Sequence, residues 1–253
     1  MTESRPETHQ RTFHHAANPE FSCSENVILL PFGRRSYLPA IVDACDGEPV
    51  ELDETTDREL YTLHHDGRDL TLVYSGMGAP ACANALEMVR RNGARRVVVF
   101  GACGGIVPGL PVGSLVAATG AVRGEGTSRW YAPPEFPAVF DPRLTVALAD
   151  AGGRRHEVHT GVVFTTDAGY RQGPSIYETY RDLAIAVECE CAAAAVVSAR
   201  LGLAAGALLF CTDNVTLPKT GDQHYRGLAD PRVQAAFESG LESCLEVLTT
   251  EED

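Results

Sequence analysis

Three short stretches of this 253-residue chain place carboxyl groups where a buried strand gives way to another element. Val187-Glu188-Cys189-Glu190 puts two of them at a strand-to-helix junction, ahead of a run of small apolar residues. Phe210-Cys211-Thr212-Asp213-Asn214 ends an apolar strand in Asp213, and Phe164-Thr165-Thr166-Asp167 ends another ahead of Tyr170-Arg171-Gln172. In open α/β sheets ligands sit beyond the carboxyl ends of the strands, so acids at these ends face a pocket and can act on what it holds. Each also has a plain structural reading. A Glu in the first turn of a helix suits the helix dipole, Asp213 suits a cap, and Asp167 suits an Asx turn.

The elements that must hold these acids are organised around Arg96-Val-Val-Val-Phe-Gly-Ala-Cys-Gly-Gly105. Its β-branched run reads as a strand buried on both faces. Gly101, Gly104 and Gly105 predict that it then breaks into a turn where a backbone or a ligand can come close. Upstream, a strand over Leu70–Tyr74 runs into Ser75-Gly-Met-Gly-Ala-Pro80 and a helix over Pro80–Asn92, framed by the early Pro and the Asn92-Gly93 stop. Leu70–Gly105 therefore reads as a βαβ unit of a parallel sheet. Further strands are expected at Asn26–Pro31, Val112–Ala118, Glu157–Thr165, Ile185–Glu188 and Ala205–Thr212. Helices are expected at Leu38–Cys45, Pro142–Ala151, Ser175–Arg181, Glu190–Leu201 and Asp230–Leu248, with Val122–Ala138 as a loop. No repeat or linker divides the chain, which reads as one α/β domain over 21–253 behind an N-terminal arm, 1–20.

Composition narrows the partners. With 21 Lys and Arg against 34 Asp and Glu, the net charge of −13 argues against nucleic acid or an anionic membrane, since both need a basic face. No apolar run reaches spanning length, and the polar N-terminus lacks a signal-peptide core, so the cytoplasm is the expected compartment. The eight cysteines form no CxxC pair and read as buried free thiols rather than disulfides or metal ligands. Cys189 and Cys191, two apart, are expected on opposite faces of a strand.

Gly76-Met77-Gly78-Ala79-Pro80, the Gly101–Gly105 segment, Val187–Glu190 with its small-residue helix, and Thr212-Asp213-Asn214 occur in the order and spacing of a known family. From about Asn26 to Asn214 the chain resembles the nucleoside phosphorylase/uridine phosphorylase family. Glu125-Gly-Thr-Ser128 with Tyr131-Ala-Pro-Pro134 is similar to that family's purine and uridine branches. The resemblance implies a single domain with a twisted mixed central sheet flanked by helices, and cleavage of a nucleoside N-glycosidic bond through an oxocarbenium-like transition state. It implies that Glu190 holds the ribose 2′- and 3′-hydroxyls and stabilises positive charge growing on the sugar. It casts Asp213 as the general acid that protonates a departing purine at N7, its pKa raised by burial. Glu188, Cys189, Phe164, Met77 and Gly104 match positions around base and sugar. Gln172 lies near a uracil-reading Gln of the uridine branch. His14 or His15 would match a histidine reaching a neighbouring subunit's 5′-hydroxyl, which implies a homo-oligomer, a dimer or a hexamer. No metal or organic cofactor is implied.

The departure is at the phosphate site. The family's front loop reads Gly-Asp-Pro-x-x-Arg, whereas this chain has Phe32-Gly33-Arg34-Arg35-Ser36. Val99 and Ala102 stand where the family places an Arg and a Ser or Thr. Arg makes charge-assisted, often bidentate bonds to phosphate and Val makes none, a loss of at least roughly 2–3 kcal/mol. Two acceptors stay open. A shifted Gly33 with Arg34 or Arg35, joined by Arg58 or Arg123, rebuilds an anion site for inorganic phosphate as co-substrate; or water is the acceptor and free ribose the product. The Asp213-Asn214 pair points to a purine, Gln172 to a pyrimidine, and a non-catalytic nucleoside-binding relative is a third reading. A dinucleotide-binding fold is set aside, because neither Gly segment fits G-x-G-x-x-G.

Overall fold

The computed structural model describes residues 21, 23–52, 58–171, 174–216 and 227–250. The N-terminal arm with His14 and His15, and also Gln172, lie outside the described residues. Among the described residues ten strands form one sheet: β1 (Asn26–Leu30), β2 (Glu48–Val50), β3 (Glu59–His65), β4 (Arg68–Tyr74), β5 (Arg96–Gly105), β6 (Leu115–Gly124), β7 (Ala138–Val139), β8 (Val158–Thr166), β9 (Ala186–Glu188) and β10 (Ala204–Asn214). The described helices are α1 (Tyr37–Ala44), α2 (Ala79–Arg91), α3 (Pro142–Gly153), α4 (Pro174–Tyr180), α5 (Cys191–Leu201) and α6 (Pro231–Thr249). Among the described residues no helix is long and apolar enough to cross a membrane.

β5 is the hub. Its first half lies parallel to β1 on one side and to β10 on the other, and its last two residues pair antiparallel with β9. Because β9 continues to β8, β8 to β6 and β6 back to β10, the strands close into a ring. The expected βαβ unit is present, with β1 inserted between its two parallel strands, β4 and β5. Two apolar layers cover the sheet. α2 and α5 enclose one around Cys82, Leu86, Val89 and the Ala-rich face of α5. α1, α3 and α6 enclose the other around Tyr37, Phe100, Phe210 and Phe237, whose rings lie 4.8–5.7 Å apart in their close pairs. Asp141 and Asp230 accept N–H bonds ahead of Pro142 and Pro231, which starts α3 and α6 where the Asp-Pro pairs stand in the sequence.

Four sequence expectations are corrected. First, β5 does not break at Gly101. It stays extended through Gly105, because β10 pairs alongside it as far as Asn214↔Gly105. Its glycines supply space rather than a turn. A Cβ on Gly101 would stand 3.1 Å from Pro31, and one on Gly105 would stand 2.5 Å from Asn214 Nδ2. Second, the expected strand from Val112 begins at Leu115 and runs to Gly124, taking the front of the expected loop. The remainder of that loop holds a short 3-10 turn, Ser128–Trp130, and ends in β7. Third, β2 and β3 form antiparallel pairings in a polar stretch where no strand was expected. β3 buries Leu60 and Leu63, three apart, so it lacks the alternation that marks a strand in sequence. Fourth, Cys189 and Cys191 do not share a strand: β9 stops at Glu188 and Cys191 opens α5. All eight cysteines are free thiols.

Asn214 cannot simply swing aside for a larger neighbour. Its Nδ2 donates to the Val107 and Leu110 carbonyls at 2.8 and 2.7 Å, and its Oδ1 accepts from Thr216. Gly105→Ala is therefore expected to lower unfolding free energy by roughly 1–3 kcal/mol, read from urea unfolding curves. An unchanged midpoint would mean that the β5–β10 junction relaxes freely.

Candidate active site

The cleft exists because β5 changes partner. β1 covers β5 only as far as Val99, and β9 joins it only at Gly104. Between these points Phe100–Cys103 have β10 on one side and, among the described residues, no strand on the other. Pro31 and Phe32 turn away at the lower edge, where Pro31 rests over Gly101. Val187 closes the upper edge. The cleft that opens has Ala102, Cys103 and Gly104 as its floor and Phe32 and Val187 as walls. Met77 stands at its mouth, 61% exposed, between Gly76 and Gly78, which both hold positive φ.

Three acids border this space: Glu188 and Glu190 from the β9–α5 junction, and Asp213 from β10. Asp213 lies beyond a shift in register between Cys211 and Asp213. Its Oδ1 accepts the Thr212 hydroxyl at 2.9 Å, and a Cβ on Gly104 would stand 3.4 Å from the same oxygen. Asp213 is thus a strand residue at the cleft, not a helix cap. Burial raises its pKa, with the Thr212 bond opposing. Glu190 is nearly covered, and its Oε1 accepts the Gly78 N–H at 2.6 Å. Burial first, and the neighbouring Glu188 charge second, push its pKa up to about 8.

Glu188 borders the cleft, yet both its oxygens are committed inward. Oε1 accepts the Thr165 hydroxyl, and Oε2 accepts the N–H groups of Glu190 and Cys191, each at 2.6 Å. Burial still raises its pKa against these donors. Cys189 lines the cleft as a neutral thiol, its pKa pushed up to about 12 by burial and by the surrounding carboxylates. A thiol held neutral is a poor nucleophile, so Cys189 serves as a wall.

The remaining sequence candidates separate. Ala102, Gly104 and Met77 meet at the cleft. Phe164 does not line it directly: it stacks on Tyr180 with centroids 3.8 Å apart, in a small apolar cluster with Ile106, Ala184 and Val187. Gly33, at φ +84°, opens α1, its carbonyl accepting N–H bonds from Ser36, Tyr37 and Leu38. Arg34 is ion-paired with Glu59, and Arg35 is exposed. Arg123 donates to the Ser128 hydroxyl and to the carbonyls of Ala132, Pro133 and Phe136, holding the aromatic loop together. The described residues that line the cleft thus carry three carboxyl groups and no cationic side chain. Asp167 ties the Glu125 loop to the end of β8 by accepting the Gly126 N–H at 2.8 Å.

Sequence reasoning passed over Phe32 as a wall, Thr165 as the partner of Glu188, and Tyr177. Tyr177 packs on the Phe164 cluster, and its pKa is raised by burial and by the Asp213 charge. Thr165 alternates with Phe164 on β8, and that period-two signal was available to find it.

Residues 27–246 match the family model described as the phosphorylase superfamily. Among curated proteins, the guanosine phosphorylase of Halorubrum lacusprofundi is 34% identical over 188 residues, 74% of this chain and 76% of that protein. A uridine phosphorylase of Thermococcus kodakarensis is 33% identical over 173 residues, 67% of this chain and 61% of that protein. Among solved structures, purine nucleoside phosphorylase from Toxoplasma gondii in complex with immucillin-H gives a TM-score of 0.79 at 21% identity, covering 90% of this chain and 91% of that one. Uridine phosphorylase from Vibrio fischeri gives 0.79 at 22% identity, covering 92% and 95%. At these identities the structural likeness is one of fold.

Proposed function

The chain belongs to the phosphorylase superfamily, and from that premise we propose that it is a glycosyl-transferring enzyme that cleaves the N-glycosidic bond of a nucleoside, a purine nucleoside first. The observation that carries the reading is the meeting of Glu190 and Asp213 at one cleft, one from the β9–α5 junction and the other from β10, strands that flank the β5 floor at Gly104 from its two sides. In this reading Glu190 accepts the sugar hydroxyls and offsets positive charge as the bond to the base lengthens. Asp213, whose pKa burial raises, donates a proton to the departing base, which leaves neutral. Gly104 leaves room for the base beside Asp213, and Val187 and Cys189 give it an apolar wall. The active unit is a cytoplasmic homo-oligomer.

The acceptor has two readings, each with its own support. The names of the relatives favour phosphate. The described lining of three acids without a cation favours a neutral acceptor, water, because a dianion gains nothing from that field. Base release from a panel of purine and pyrimidine nucleosides, with and without inorganic phosphate, separates them. Release that requires phosphate and gives ribose 1-phosphate establishes phosphorolysis. Release indifferent to phosphate, giving free ribose, establishes hydrolysis. A folded protein that binds nucleosides and releases no base from any of them would overturn the enzymatic reading.

A further inference from the structure

The acids at the cleft differ in how their oxygens are committed, and the difference is organised by a residue behind them. Glu190 occupies the N-cap position of α5, yet its side chain makes no cap bond. A carboxylate at that position ordinarily turns back to accept an N–H from the first turn. Here Oε1 of Glu190 points across to the Gly78 N–H instead. The first turn of α5 is satisfied from elsewhere. Glu188 Oε2 accepts the N–H groups of Glu190 and Cys191, and Thr165 Oγ1 accepts that of Ala192 at 2.9 Å. The Thr165 hydroxyl hydrogen goes to Glu188 Oε1, which joins the two cap groups into one unit. Thr165 is fully buried, and β8–β9 pairing sets it directly opposite Glu188.

We propose that Thr165 is a positioning residue of this site: through Glu188 it caps α5 in place of Glu190, and so leaves the Glu190 carboxylate free to face the cleft. The role rests on the proposed nucleoside-cleaving function, in which Glu190 meets the sugar hydroxyls, and it assigns Glu188 to holding the helix rather than the substrate. Without the Thr165 hydroxyl, the Ala192 N–H loses its acceptor and Glu188 Oε1 loses its donor, both in a buried place where unmade bonds are costly. Glu190 holds the N-cap position, from which a carboxylate can turn back to accept from the first turn. Its carboxylate then leaves the cleft, and recognition of the hydroxyls is lost with it.

Thr165→Val keeps the shape and removes the hydroxyl, whereas Thr165→Ser keeps the hydroxyl. The measurement is kcat/KM for a riboside and for its 2′-deoxy counterpart. Thr165→Val is expected to lose roughly 10- to 100-fold on the riboside and much less on the deoxyriboside, so that the preference between them collapses; Thr165→Ser is expected to stay near wild type. Equal losses on both sugars, or equal losses in Val and Ser, would overturn the proposal. Circular dichroism checks folding, and if Thr165→Val does not fold, Glu188→Gln answers by the same ratio, because its amide cannot accept both from Thr165 and from the helix as the carboxylate does. A wild-type protein that releases no base removes the functional premise. A wild type that does so, with an unchanged sugar preference in the variants, removes only the role of Thr165.

Discussion

Asp213→Asn is expected to lower base release by roughly 10²- to 10⁴-fold while leaving nucleoside binding within a few-fold of wild type. The substitution keeps shape, volume and an oxygen able to accept the Thr212 hydroxyl that Asp213 accepts at 2.9 Å. What it removes is a transferable proton. Asp213 sits where burial favours its neutral form, which suits an acid that must hold its proton until the base departs. The same placement gives a sign for pH: activity falls as pH rises through the raised Asp213 pKa, because the ionised form cannot donate. A nucleoside whose base already carries a positive charge needs no such donor, and its cleavage should be nearly unaffected in the variant. Steady-state kinetics on neutral and cationic substrates, with equilibrium binding of the free base, decide the matter. An Asn variant within tenfold of wild type on neutral nucleosides would mean that another group protonates the base.

Glu190→Gln is expected to make the protein more stable and less active. Burial and the Glu188 charge push the Glu190 carboxyl up to about 8 in the folded state, against about 4.5 when unfolded. Between these values the folded form binds more protons than the unfolded form, so stability falls as pH rises through the window. An amide has no charge to desolvate and escapes that loss. The variant should therefore gain roughly 1–3 kcal/mol over wild type at pH 8, with the difference shrinking towards pH 5. Activity should drop by roughly 10²- to 10³-fold, since a neutral amide neither accepts two sugar hydroxyls as well nor stabilises a growing cation. Urea unfolding at pH 5 and pH 8, beside the kinetics, tests both halves. No pH-dependent gain would mean that the carboxyl is ionised without cost in the folded protein. A stable, inactive variant would place Glu190 among residues kept for function at the expense of stability.

Much of this was legible in the chain. The β-branched run of β5, the Asp-Pro starts of α3 and α6, and the Pro80 and Asn92 limits of α2 are local signals, and the elements formed where those signals stood. The order of the Gly segments and the acids was equally readable, and the family match over 27–246 agrees with the resemblance they carry. What was read less well has a common cause. β2 and β3 are held by pairing to β4, not by their own polar, irregular sequence. Gly101, Gly104 and Gly105 are turn-formers by type, but a neighbouring strand keeps them extended.

The sequence by itself determined which residue types stand at the strand ends, and that the chain would build a buried mixed sheet with acids at its rim. Hydrophobic period and turn chemistry act over a few residues, and a reader can follow them there. Only the tertiary structure decided what each acid does with its oxygens. Glu188 and Glu190 are two positions apart and alike in type, yet one is consumed by Thr165 and the start of α5 while the other faces the cleft beside Gly78. That division depends on the register of β8 against β9, and on β1 ending short of β9 along β5. Contacts between residues so distant in sequence leave no periodic trace, because burial and hydrogen bonding select them only after the strands have paired.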